Sequence, residues 1–162
     1  MNILHRKQFL TLGLLGSAGL VFSKAAIAQQ EKPPALDKDL VKEFVTKCHA
    51  DLNRTKELLA QQPSLLNACW DWGGGDFETG LEGAGHMGNR EIAQFLLDNG
   101  ARMNIFCAAM LGKIDIVRSF LTAFPGLKSS KGPHGLQLLH HARKGGEQSK
   151  EVLDYLQSIG AS

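Results

Sequence analysis

Three histidines, His134, His140 and His141, fall within one eight-residue stretch of this 162-residue chain. Imidazole is the commonest side-chain ligand for zinc, copper and haem iron, so the cluster is a candidate metal or haem site. Its spacing argues against a shared ion. His140 and His141 are adjacent, so on a helix their side chains diverge by about 100° and cannot meet at one metal without distortion. Gly83-Ala-Gly85-His-Met-Gly88 is a literal G-x-G-x-x-G. A dinucleotide site needs that motif directly after a buried strand, and no strand pattern precedes it here. Cys48, Cys69 and Cys107 are three, widely spaced and without a C-x-x-C. They allow at most one disulfide, signal neither a zinc ribbon nor a thioredoxin-like centre, and read as small buried hydrophobes. No Ser/His/Asp or Cys/His arrangement is marked by spacing.

The stretch "CWDWGGGDFETG" (69–80) surrounds three glycines with Trp70, Trp72 and Phe77. The sequence "GGGD" is not followed by Gly-Lys-Ser/Thr, so it is no phosphate-binding loop. Glycines permit positive φ and let a turn project. Tryptophans on such a turn supply the contact area typical of binding hot spots. The competing reading folds both indoles back over the first helices. Trp70, beside Cys69, is the expected inward member and Trp72, beside Gly73, the outward one.

The first 28 residues follow a different grammar. "MNILHRKQ" is basic, "FLTLGLLGSAGLVF" is a 14-residue apolar run, and "SKAAIA" ends in small residues. This is the three-part pattern of an export signal, with Ala26-Ile27-Ala28 predicting cleavage before Gln29. The run is short for a membrane span. "HRKQFL" resembles a twin-arginine export motif with Arg6-Lys7 in place of Arg-Arg, and the general secretory route is the alternative. Arg6, Lys7 and Lys24 belong to this leader, which leaves 15 basic residues against 16 acidic ones, a net charge of −1. A near-neutral body without a basic stripe excludes a nucleic-acid groove, which depends on neutralising phosphates. "QQEKPPALD" (29–37) reads as a linker.

Beyond the linker, the positioning elements are helical. Leu40/Phe44 and Val41/Val45 repeat at i, i+4; Leu58 and Leu59 precede a stop at Pro63. Ile92, Phe95 and Leu96 form a stripe between an Asn89 N-cap and a Gly100 stop. Ile116, Val117, Phe120 and Leu121 form another, and Val152, Leu153 and Leu156 the last. No stretch alternates with period two, so no sheet is expected. Aligning "ELLAQQP", "FLLDNGA", "SFLTAFP" and "YLQSIGA" on Leu59, Leu97, Leu121 and Gln157 gives steps of 38, 24 and 36 residues. Each segment follows a shorter helix, so the unit is helix, turn, helix, loop.

These units resemble ankyrin repeats. The family pattern T-P-L-H-x-A-A-x-x-G-H falls on "TGLEGAGHMGN" (Thr79, Leu81, Ala84, Gly88) and on "MNIFCAAMLGK" (Ile105, Ala108, Ala109, Gly112). It falls again on "LLHHARKGG" (Leu139, His140, Ala142, Gly146). Glu82 and Phe106 replace the first-helix histidine, and the 24-residue step lacks the usual loop finger. The resemblance implies an all-α solenoid of about four helix-turn-helix pairs over residues 38–162. Its implied role is a periplasmic protein-binding module with no catalytic activity and no cofactor. The partner is another protein, not nucleic acid, and a membrane is met only through the leader during export. The implied concave contact surface comprises Trp70, Trp72, Asp76, Phe77, His86, Met87, Met110 and Leu111. The alternative is a small periplasmic metal- or haem-binding protein using His134, His140 and His141. Under the family pattern, His140 instead takes the consensus histidine's local hydrogen-bonding role.

Overall fold

The computed structural model describes residues 32–161. The expected leader (1–28) therefore lies outside the described residues, as does the start of the linker. From Pro34 onward the described residues belong to one compact unit. It is mostly helical, with eight α-helices and one two-stranded sheet among the described residues. No helix there is long and apolar enough to cross a membrane.

Local chemistry sets most helix starts. The Asp37 carboxylate accepts from the backbone N–H groups of Asp39 and Leu40, both at 2.9 Å, opening α1 (Lys38–Lys47). Asp51 does the same for α2 (Leu52–Gln61), which ends just before Pro63 as expected. Thr79 and Glu82 form a reciprocal capping box at the start of α3 (Gly80–Met87). Asn89 caps α4 (Arg90–Asp98), and Asn104 caps α5 (Ile105–Met110). The Asn104 amide also donates to Glu82 at 3.0 Å, tying two helix starts together. Then come α6 (Ile114–Ala123), α7 (Leu138–Lys144) and α8 (Lys150–Ser158).

The helices pack as consecutive pairs, α1 on α2, α3 on α4, α5 on α6 and α7 on α8. The odd-numbered members also pack in a row, α1 on α3, α3 on α5 and α5 on α7. The expected stripes supply most of the core: Phe44, Val45, Leu58, Ile92 and Leu96 in one cluster, Val117, Leu121, Val152 and Leu156 in the other, where Leu138 is buried in place of the expected Leu139. Ala84, Ala108, Ala109 and Ala142 are buried where the first helices meet, small enough to let backbones approach. One half of the α6 stripe departs from expectation. Ile116 and Phe120 face outward with Phe124, because Val117 and Leu121 already fill the interhelical space.

Two further expectations are corrected. The stretch around the glycines is a hairpin: β1 (Cys69–Asp71) pairs antiparallel with β2 (Phe77–Thr79), with Trp70 opposite Glu78. Three residues per strand are too few for a period-two pattern to stand out. The turn needs its glycines, since Gly73, Gly74 and Gly75 have φ of 126°, 66° and 87°. Asp71 Oδ1 accepts from the N–H groups of Gly73 (2.8 Å) and Gly75 (3.2 Å) and so holds the turn closed. Met110 and Leu111 are not on a contact surface but buried. Arg90 covers them, its guanidinium donating to the Met110 and Leu111 carbonyl oxygens at 2.7 and 2.9 Å. Those carbonyls end α5, and the Met110 oxygen also accepts from the Ser149 hydroxyl at 3.0 Å.

Candidate metal centre

Four side chains from four different segments converge over the first two helix pairs. His49 lies in the α1–α2 turn, Glu78 in the middle of β2, His86 in the last turn of α3, and His134 in the segment before α7. One ligand atom from each lies within 4.8 Å of every other.

Each is held by an identifiable partner. His49 Nδ1 faces the Val45 carbonyl oxygen at 2.9 Å. A carbonyl only accepts, so Nδ1 carries the proton and Nε2 turns to the cluster. Gly83 makes room for that ring, since a Cβ there would stand 2.9 Å from it. This close approach explains one glycine of the G-x-G-x-x-G; the motif serves packing, not a dinucleotide. His134 is fixed by Asp76, which accepts from the His134 backbone N–H at 2.8 Å and from its Nδ1, also at 2.8 Å. The two contacts hold Asp76 below the usual carboxylate range, the backbone N–H contributing most. They also hold His134 at φ 57°, a left-handed conformation that a non-glycine residue keeps only when its surroundings impose it. His86 is placed by α3, and its carbonyl oxygen lies 3.0 Å from His140 Nε2.

Glu78 is the anchor. The alternation of β2 turns Phe77 outward and Glu78 inward, where its side chain is fully buried. The Trp72 indole N–H donates to Oε2 at 2.7 Å. Oε1 lies 2.8 Å from His86 Nε2 and 3.4 Å from His134 Nε2. His86 Nε2 also lies 3.1 Å from His49 Nε2. Burial, the largest single influence, raises the Glu78 pKa; His86, His49 and Trp72 together outweigh it and hold the carboxyl below its ordinary value.

The arrangement accommodates a cation. With Nδ1 protonated, neutral His49 and His134 each aim an Nε2 lone pair at the Glu78 carboxylate, each 3.4 Å from one of its oxygens. A positive charge among the four removes that repulsion. Three imidazole nitrogens and one carboxylate suit a divalent first-row transition metal such as zinc, copper, nickel or iron. The contacts His49–Val45 and His134–Asp76 are the outer hydrogen bonds that orient metal-ligating imidazoles.

The residues singled out in the sequence scatter around this centre. Of His134, His140 and His141, only His134 joins it. His140 Nε2 lies 3.0 Å from the His86 carbonyl oxygen, a contact between helices and not the local hydrogen bond expected of it. His141 is buried against Phe106, with ring centroids 5.1 Å apart, and its Nδ1 donates to the Gln137 carbonyl at 2.9 Å. Burial, the main cause, pushes its pKa down to about 4. The trio is therefore no ligand set. Trp70 is half-buried against the core as expected, with Lys42 Nζ 5.5 Å from its ring centroid. Trp72 is 38% exposed but tethered, because its indole N–H donates to the buried Glu78 carboxylate. Phe77 and Met87 are exposed. His49 and Glu78 carry no sequence mark: one is a lone histidine after a helix, the other a single acid in "DFET". Their signal was weak, since no fixed spacing links them to His86 or His134. The three cysteines are free, Cys48 and Cys107 buried and Cys69 exposed. Comparison with family models, with curated proteins and with solved structures found no match to this chain.

Proposed function

We propose that this chain is an exported, ankyrin-type helical-repeat protein that binds one divalent transition-metal ion through His49, Glu78, His86 and His134. One observation carries the reading: a fully buried carboxylate and three imidazoles from four separate segments bring one ligand atom each within 4.8 Å of one another. A buried carboxylate facing several imidazoles is a natural cation ligand, since the burial penalty on its charge is offset by a positive partner. The ankyrin-type assignment rests on the repeated sequence motif and the consecutive helix pairs, and export rests on the leader.

Metal content after equilibration with zinc, copper or nickel tests the reading. The expected result is one tightly held ion per chain, lost in Glu78→Gln and His134→Ala and retained in His140→Ala. Substoichiometric metal in the unaltered chain, or full occupancy in Glu78→Gln, overturns it.

A second reading is supported by exposed apolar residues beside two of the ligands. Phe77, next to Glu78, and Met87, next to His86, are 59% and 46% exposed. A protein partner docking on Phe77, Met87 and Trp72 makes this a non-catalytic interaction module. Phe77→Ala and Met87→Ala then weaken partner capture while leaving metal content unchanged.

A further inference from the structure

The four ligands differ sharply in how they meet solvent. The side chain of Glu78 is fully buried and that of His86 is 10% exposed, while those of His49 and His134 are 21% and 33% exposed. The cluster is therefore closed on the Glu78 and His86 side and open on the other. Trp72 stands at this opening, its ring centroid 6.3 Å from that of His49 and 6.1 Å from that of His134.

The spacing of the ligand atoms is also uneven. A tetrahedral ion with bonds of about 2.05 Å separates all its ligand atoms by about 3.4 Å, whereas neighbouring ligands in a five- or six-coordinate sphere lie about 2.9 Å apart. Here His86 Nε2 is 2.8 Å from Glu78 Oε1 and 3.1 Å from His49 Nε2, and other pairs are longer, up to 4.8 Å. These uneven edges do not describe a closed tetrahedron. The donor types agree: closed structural zinc sites are built largely from cysteine, and no cysteine joins this set.

Charge and size restrict that ligand. A divalent ion with one carboxylate and three neutral imidazoles keeps one positive charge, which favours water or an anion. The aromatic rim keeps the ligand small. The wide grooves lie elsewhere: cavities of about 620 and 470 Å³ are lined by Lys56 and Phe95 with neighbouring residues, none of them a member of the cluster.

We propose that the metal at this centre keeps one solvent-facing coordination position, beside Trp72 between His49 and His134, that exchanges water for small monodentate anions. This rests on the metal-binding reading above. The test uses the full chain loaded with cobalt(II), whose visible bands report coordination, and azide as the probe. The expected result is a saturable, one-to-one change in the cobalt bands on adding azide. A matching enhancement of water-proton relaxation, suppressed by azide, is expected with a paramagnetic ion in the site. If cobalt binds one-to-one but its spectrum ignores azide and water relaxation stays at the level of a closed site, the proposal is overturned while metal binding stands. If cobalt, zinc and copper all fail to bind, both fall.

Discussion

Acidification should weaken the fold through His141, a residue that takes no part in the metal centre. Its ring is 1% exposed, packed against Phe106, with one nitrogen donating to the Gln137 carbonyl. Charging it inside costs the hydration of an imidazolium, so its pKa falls from the ordinary 6.5 to about 4. The unfolded chain binds this proton near pH 6.5 and the native chain only near pH 4. Stability is therefore full above pH 6.5, declines as pH falls from 6.5 toward 4, and loses nothing more from this residue below. That difference corresponds to about 3 kcal/mol, a large share of a small domain's stability. Urea unfolding of metal-free protein in steps from pH 7.5 to pH 4, beside His141→Gln, isolates the effect. The variant starts less stable, having lost packing, but its stability should fall less steeply with acid. The His141 ring resonance should stay flat down to about pH 5. A midpoint near 6.5 for that resonance, or parallel pH curves for the two proteins, refutes the burial argument.

Three other outcomes follow from packing, ligand placement and the leader. Leu96 and Leu121, buried in the two core clusters, should each cost roughly 2–5 kcal/mol when cut to Ala, measured by denaturant unfolding; losses below about 1 kcal/mol at both sites would mean that neither is packed between helices. Gly83→Ala places a methyl 2.9 Å from the His49 ring and should weaken metal binding by about 10- to 100-fold, the range for disturbing a ligand's support. Unchanged affinity in a metal titration would show that His49 is not a ligand. The intact mass of protein recovered from the exporting host should correspond to a chain starting at Gln29, and a full-length product confined to the cytoplasm would remove the export assignment.

Features that depend on neighbours within one or two helical turns were legible in the sequence. Asn89, the Thr79–Glu82 box and the stop before Pro63 act within a few residues, so their chemistry is written consecutively. The apolar stripes ending in Leu58, Leu96, Leu121 and Leu156 also state which face of each helix turns inward, although Ile116 and Phe120 show that a stripe can be wider than its core. The hairpin was not legible, because two three-residue strands held by an Asp71-closed glycine turn leave almost no periodic trace. The four-residue cluster was still less so. His140 and His141 drew attention by adjacency, yet adjacent residues on a helix point apart. Ligands must converge in space, and His49, Glu78, His86 and His134 do so only after the helix pairs stack and the hairpin turns Glu78 inward beneath Trp72. The sequence by itself determined the helices, their caps and most of the core, since those interactions are local or periodic. Only the tertiary structure decided which histidines meet, because that depends on packing between segments that no spacing rule connects.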